Sequence, residues 1–176
     1  MFLTVMTVAE GLAALAPERR SAVVSAVPAL GVVPAEDVAA GEALPAYARA
    51  TVDGYAVRAA DTYAASETLP AFLEITGAVA MGSPPGGAVG SGAAMTVPTG
   101  GLLPAGADAV VMVEHTTEPM PGSVELLRAV APGDGVLQPG EEVLPGDVLV
   151  PAGRPLRAAD LGLLAAAGVV AVAAHV

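Results

Sequence analysis

The stretch Thr51-Val52-Asp53-Gly54-Tyr55-Ala56-Val57-Arg58 decides the fold. An Asp-Gly pair is turn chemistry and β-prone residues follow it, so the segment reads as a bend feeding a strand over Tyr55–Arg58. The same pattern repeats outward. Phe72–Thr76, Ala94–Val97, Ala109–Glu114 and Val124–Arg128 are further short β-prone runs, with Gly and Pro punctuating the text between them, as in Ser83-Pro84-Pro85-Gly86-Gly87. Residues 45–145 are therefore expected to form a β-rich, barrel-like domain of hairpins and bends. The glycine-rich stretch Gly82–Gly101 belongs to it as loop, since β-prone residues interrupt it.

On either side the periodicity changes. Thr7 followed by Glu10 is a capping box, Val8, Leu12 and Leu15 then recur at helical spacing, and Pro17 ends the pattern. A turn is expected before Gly31, and Val32, Val33 and Val38 read as extended chain before Gly41. After the β-rich region, Gly146-Asp147-Val148-Leu149-Val150 reads as a strand. A helix over about Arg157–Ala167 follows, with Asp160 in its first turn and Gly168 as a left-handed cap, and then a strand over Val169–Ala173. Residues 1–44 and 146–176 are thus expected to make one discontinuous helix and strand domain, into which residues 45–145 are inserted. The fold class is α+β, mainly β with helices. A strand so near the last residue suggests either a small protein or the front part of a longer one.

Composition narrows the partners. Asp and Glu number 18 against 7 Arg and no Lys, giving a net charge of -11 and a pI near 4.3. No clustered basic face is available for duplex nucleic acid or for an acidic headgroup surface. Cysteine is absent, which excludes disulfides, thiolate metal sites and a thiol nucleophile, and the two histidines, His115 and His175, are far apart in the chain. Metal chemistry would have to use oxygen ligands. With 54% hydrophobic residues but only 3% aromatics and no Trp, the core must be built from Ala, Val and Leu. The uncharged stretch from Ile75 to Ala107 is broken throughout by Gly and Pro, so it is not a membrane-spanning helix. The start, MFLTVMTVAEG, lacks a basic segment before an apolar run and is not read as a signal peptide. A cytoplasmic protein is expected.

Three short motifs could carry chemistry. Asp53 is either a turn former or a carboxylate at a loop-to-strand junction, placed to bind a divalent cation or orient water. Pro98-Thr99-Gly100-Gly101 sets a hydroxyl beside two glycines, either as a plain turn or as a loop whose N–H groups approach an anion. It matches neither the P-loop nor the dinucleotide fingerprint. Pro139-Gly140-Glu141-Glu142 puts two acids at a turn, either as a solvated corner or as metal ligands. Glu114-His115 is a weaker acid–base candidate, because strand neighbours point to opposite faces. No nucleophile elbow is present.

In order and combination these motifs are more specific. Leu44-Pro45-Ala46-Tyr47 leading to the Asp53-Gly54-Tyr55 segment, then Pro98-Thr99-Gly100-Gly101 running on to Ala107-Asp108-Ala109-Val110-Val111-Met112-Val113-Glu114, then Pro139-Gly140-Glu141-Glu142, resembles the molybdopterin molybdenumtransferase family, which includes the E domain of gephyrin. The resemblance covers essentially the whole chain but only the family's N-terminal half, the elongated first domain and the inserted second, without the α/β pterin-binding domain. It implies insertion of molybdate into adenylylated molybdopterin with release of AMP, dependence on Mg²⁺, a homodimer with a shared cleft, and a molybdopterin-adenylylating partner enzyme. By the same resemblance Asp53, Thr99 and Glu142 match the positions this half contributes to catalysis. Asp53 and Glu142 are then the Mg²⁺ ligands, and Thr99 with Gly100 the groups facing an anionic substrate oxygen. Two readings stand beside it: a non-catalytic scaffold of the same architecture, and a Mg²⁺-dependent small-anion binding domain.

The chain departs from the family pattern at three places. Ala48-Arg49-Ala50 stands where a polar run is common, Glu142 where Asp is usual, and Leu137-Gln138-Pro139 where arginines are common.

Overall fold

The computed structural model describes residues 7–14, 20–26 and 29–175. In chain order they form helix α1 (Val8–Ala14) and strands β1 (Ser21–Ser25), β2 (Val33–Pro34), β3 (Val38–Ala39), β4 (Arg49–Ala50) and β5 (Gly54–Val57). A 3-10 turn at Ala59–Thr62 leads to β6 (Ala71–Ala78), β7 (Ala93–Val97) and β8 (Ala109–Met112). Another at Val113–His115 leads to β9 (Thr116–Met120), β10 (Ser123–Leu126) and β11 (Val136–Leu137). Strand β12 (Val148–Val150), helix α2 (Ala158–Ala166) and strand β13 (Ala171–His175) complete the order.

The described chain is mainly β with two helices and divides into two compact units. One comprises the described residues up to Gly41 with those from Gly146 on, and the other is Glu42–Pro145. The first boundary follows Gly41 and not Leu44, because the Leu44 N–H donates to the Val143 carbonyl at 2.8 Å and ties that residue into the second unit.

In the first unit, β13 lies between β1 and β2, and β12 pairs with β3. Helix α1 starts as its sequence dictates: Thr7 N–H donates to Glu10 Oε2 at 2.7 Å, and Glu10 N–H donates to Thr7 Oγ1 at 3.2 Å. The helix buries none of its residues, leaving Val8 and Leu12 80% and 66% exposed, so its apolar spacing is not a core signal. Leu15 and Pro17 lie outside the described residues. Helix α2 ends at Gly168, whose φ of +69° allows the two bonds of a Schellman cap, Gly168 N–H to Ala165 C=O at 3.1 Å and Val169 N–H to Leu164 C=O at 2.8 Å. That cap uses Gly168 and Val169, which is why β13 begins at Ala171 and not at Val169. Leu164, Leu156, Val150, Val172 and Ala29 form the buried core of this unit.

The second unit is built on a six-stranded sheet of order β8-β5-β7-β6-β10-β9, parallel only between β6 and β7. Its two edge strands, β8 and β9, are consecutive in the chain and joined by Val113–His115 alone. A flat sheet would set its edges too far apart for that link, since neighbouring strands are about 4.8 Å apart. The sheet therefore curls into a half-barrel. Tyr55 of β5 ties the curl by donating its hydroxyl hydrogen to Glu118 of β9.

Both faces of the sheet are buried at β5, β7 and β8. Tyr55, Val57, Ala94, Ala109 and Val111 belong to one apolar cluster, and Ala56, Met95, Val97 and Val110 to another. This is the alternation of strand side chains, with each face covered, and it explains why β5, β7 and β8 read as nearly unbroken apolar runs. Each Val or Leu so buried contributes roughly 1.5–3 kcal/mol. The expected strand Ala109–Glu114 stops at Met112, because the chain must turn there to reach β9. Strands β1, β4, β9 and β11 carry too little periodicity to be expected from the sequence. Two of them, β4 and β11, are two-residue strands that pair with each other.

Candidate functional site

Asp53 is positioned by its neighbours on β8. Val113 N–H donates to the Asp53 carbonyl at 3.0 Å, and Gly54 lies so close to Val111 that a Cβ would sit 1.9 Å from its carbonyl oxygen. Only glycine fits at residue 54, so the Asp-Gly pair records a close strand approach as well as a bend. Thr99 arrives from the loop after β7. Pro98-Thr99-Gly100-Gly101 is a tight turn, closed by Gly101 N–H to Pro98 C=O at 2.8 Å with Gly100 at φ +81°.

The turn delivers Thr99 to Asp53. The Thr99 N–H donates to Asp53 Oδ1 at 2.6 Å and its hydroxyl donates to the same oxygen at 2.8 Å. These two donors hold the Asp53 carboxyl below the usual carboxylate range, the backbone N–H contributing most. Asp53 is therefore ionised at neutral pH, and no described residue donates to its Oδ2. Asp53 borders a pocket of about 430 Å³ walled by Gly54, Tyr55, Val79, Val97, Pro98 and Val113. Tyr55 is buried there, and burial, then Glu118, pushes its phenol up to about 12.

The N–H groups of the Thr99-Gly100 loop all have partners within the protein: that of Thr99 goes to the Asp53 carboxylate, that of Gly100 to the Ala50 carbonyl at 2.8 Å, and that of Gly101 to Pro98. The loop orients a carboxylate. Glu142 comes from the segment that follows β11. It is exposed, its N–H donates to the Leu44 carbonyl at 2.9 Å, and no hydrogen bond links its carboxylate to Asp53 or Thr99. The neighbouring Glu141 closes its own turn by accepting the Gln138 N–H at 2.8 Å. Among the described residues no group of three or more His, Cys, Asp or Glu side chains is gathered for a metal ion. Glu114 and His115 lie on a 3-10 turn and not on a strand, and His115 Nε2 accepts from Arg128 Nη1 at 3.3 Å. That contact and the one from Tyr55 to Glu118 join residues 13 and 63 positions apart. Neither partner is adjacent in sequence, so no local signal marks them.

The family model described as the MoeA N-terminal region (domain I and II) matches residues 5–168. The chain belongs to this family. Among curated relatives, molybdopterin molybdenumtransferase of Bacillus subtilis is 36% identical over 78% of the chain and 33% of its own length. Molybdopterin molybdenumtransferase 1 of Mycobacterium tuberculosis is 35% identical over 93% of the chain and 41% of its own length. The MoeA protein of Pyrococcus horikoshii, a solved structure described as a molybdopterin biosynthesis protein, superposes with a TM-score of 0.83 at 37% identity, over 88% of this chain and 41% of that one. The chain thus spans about a third to two fifths of the MoeA relatives it matches. No described helix is long and apolar enough to cross a membrane.

Proposed function

We propose that the chain is the N-terminal portion of a molybdopterin molybdenumtransferase, contributing one half of a cleft where molybdate is inserted into adenylylated molybdopterin with release of AMP. The observation that carries this reading is Asp53, held by Thr99 and lining an apolar pocket, in a chain whose relatives bear that name. An exposed carboxylate held ionised by neutral donors keeps an oxygen for a ligand. Asp53 Oδ2 is that oxygen, and the pocket beside it suits a flat apolar body carrying a charged end.

The donor set fits Mg²⁺ of the kind that arrives with a phosphorylated substrate, which takes one or two carboxylates and completes its shell with phosphate oxygens and water. Asp53 and Glu142 would hold it, and when bound it would neutralise the phosphoanhydride and favour departure of AMP. Thr99 keeps Asp53 charged and aimed, and Gly100 gives the turn its left-handed corner. Homodimerisation, with the opposite subunit closing the cleft, delivery of substrate by an adenylylating enzyme, and a cytoplasmic setting belong to the same proposal.

The test is AMP release by a chimera in which this chain replaces the matching N-terminal segment of the Bacillus subtilis relative, with molybdate and Mg²⁺ present. Asp53→Ala should abolish turnover while leaving the circular dichroism spectrum intact. Unchanged turnover would overturn the assignment of Asp53. Light scattering of the chimera reads the dimer directly.

A further inference from the structure

On the outer side of β8 lies a second pocket, of about 290 Å³, bordered by Thr51, Met112, His115, Arg128, Val130 and Asp134. Its cation is placed unusually. In a chain of net charge -11 an arginine has many carboxylates to choose from, and Arg154 and Arg157 both take one, Asp160. Arg128 instead donates to the Nε2 of His115 at 3.3 Å. Nε2 is then the acceptor of that contact. A guanidinium has five N–H donors, and this contact uses one.

Other donors face the same space. Antiparallel pairing sets Val113 opposite Asp53 with a direct bond, so the two-residue alternation turns the N–H groups of Met112 and Val110 away from β5. Val110 gives its N–H to the Asp134 carbonyl at 2.8 Å, which shows where that direction leads, and Met112 N–H points the same way. Thr51 lines the pocket too and brings a hydroxyl to its wall. The one acid at the rim, Asp134, keeps its charge but turns its Oδ2 to the Ala131 N–H at 2.8 Å.

We propose that this pocket binds a small oxyanion of phosphate type, held by the Arg128 guanidinium, the Thr51 hydroxyl and the Met112 N–H. The chemistry is charge-assisted hydrogen bonding to oxygens that carry formal charge, on a site whose arginine is hydrogen-bonded to an imidazole and, among the described residues, to no acid. A cation has no place beside Arg128. The pocket is also too small for an extended peptide. The inference does not rest on the transferase reading.

The experiment is a titration of the chain with inorganic phosphate, followed by the amide resonances of Thr51 and Met112 and the Arg128 Nε resonance, against chloride at matched ionic strength. Phosphate should give saturable shifts at these residues and chloride should not. Arg128→Gln should weaken binding by about tenfold or more, the worth of a charge-assisted contact. Arg128→Lys, which keeps the charge, should retain most of it, and Arg58→Gln, elsewhere in the same unit, should leave it unchanged. A parallel titration with a nucleoside monophosphate distinguishes sources. Tighter binding through the same residues identifies a phosphate ester as the ligand, and equal binding a free oxyanion, and both support the site. Shifts that never saturate, or that survive Arg128→Gln, overturn it. Because phosphate binding is read directly, its failure is distinguishable from a loss of AMP release in the Asp53 variant.

Discussion

Asp53 in the second unit and Asp160 in the first are both held below the ordinary carboxylate range, but by opposite means. Two neutral donors of Thr99 hold Asp53, which leaves the carboxylate with its full charge and one free oxygen. Asp160 is nearly buried, takes both Arg154 Nη1 and Nη2 at 2.6 and 2.8 Å, and accepts the Arg157 N–H at 2.8 Å as a helix cap. Its charge is consumed in holding α2. A lowered carboxyl pKa alone therefore does not mark a site. What separates the two aspartates is whether the partners are cations that cancel the charge or dipoles that orient it.

The comparison breaks most completely through the backbone that seats Asp53. Gly54→Ala would set a Cβ 1.9 Å from the Val111 carbonyl oxygen, and no side chain can move to relieve it. The expected loss is about 4 kcal/mol or more, read as a collapse of the denaturation midpoint with loss of the amide pattern of β5 and β8. Next comes the packing that seats Asp160. Leu164 lies one turn further along α2 and is fully buried, so Leu164→Ala should cost roughly 2–5 kcal/mol. Urea unfolding followed by resonances in each unit should show that loss in the first unit, with the Thr51–Val57 amides unshifted under native conditions.

Removing the charge of Asp160 is a smaller change. Asp160→Asn should lower Tm by roughly 4–8 °C at neutral pH, through loss of the cap and the ion pair. The pH dependence has a definite sign. A depressed carboxyl stabilises fully above its unfolded-state pKa, and that stabilisation is lost as pH falls toward the lower folded-state value. The gap in Tm between wild type and Asp160→Asn should therefore narrow between about pH 5 and about pH 2. A gap constant over that range would mean that the pair contributes nothing as an ion pair.

Thr99→Val is the mildest of the four. It removes the hydroxyl donor and keeps the N–H, so the Asp53 carboxyl should rise part of the way back toward the ordinary range in a carbon-detected titration. Tm should stay within about 2 °C, since the site is exposed. A large fall in Tm would show that Thr99 is a structural clamp, and the contrast with Asp160 would disappear.

What could be read from the sequence follows the range of the interactions. The box at Thr7-Glu10, the place of Asp160 in the first turn of α2, the cap at Gly168 and the apolar runs of β5, β7 and β8 depend on neighbours within a turn or on alternation within a strand. The sequence showed these directly. Strands β4 and β11 were not legible, because a two-residue strand has no period and exists only where Ala50 meets Val136. The glycine at 54 looked like turn chemistry, and only the approach of β8 shows why no other residue fits there.

At the candidate site the division is the same. The sequence by itself determined that Asp53 would stand where a bend meets a strand, that Thr99 would sit in a glycine turn, and that the chain as a whole belongs with the molybdopterin enzymes. Only the tertiary structure decided that Thr99 gives both of its donors to Asp53, that Glu142 is not hydrogen-bonded to either, that Tyr55 reaches Glu118, and that Arg128 settles on His115 and not on an acid. The physical reason is sequence separation. Capping and alternation are enforced by covalent geometry over a few residues, whereas the contacts spanning 46 and 63 residues exist only because the folded sheet sets β7 beside β5 and curls β9 toward β5.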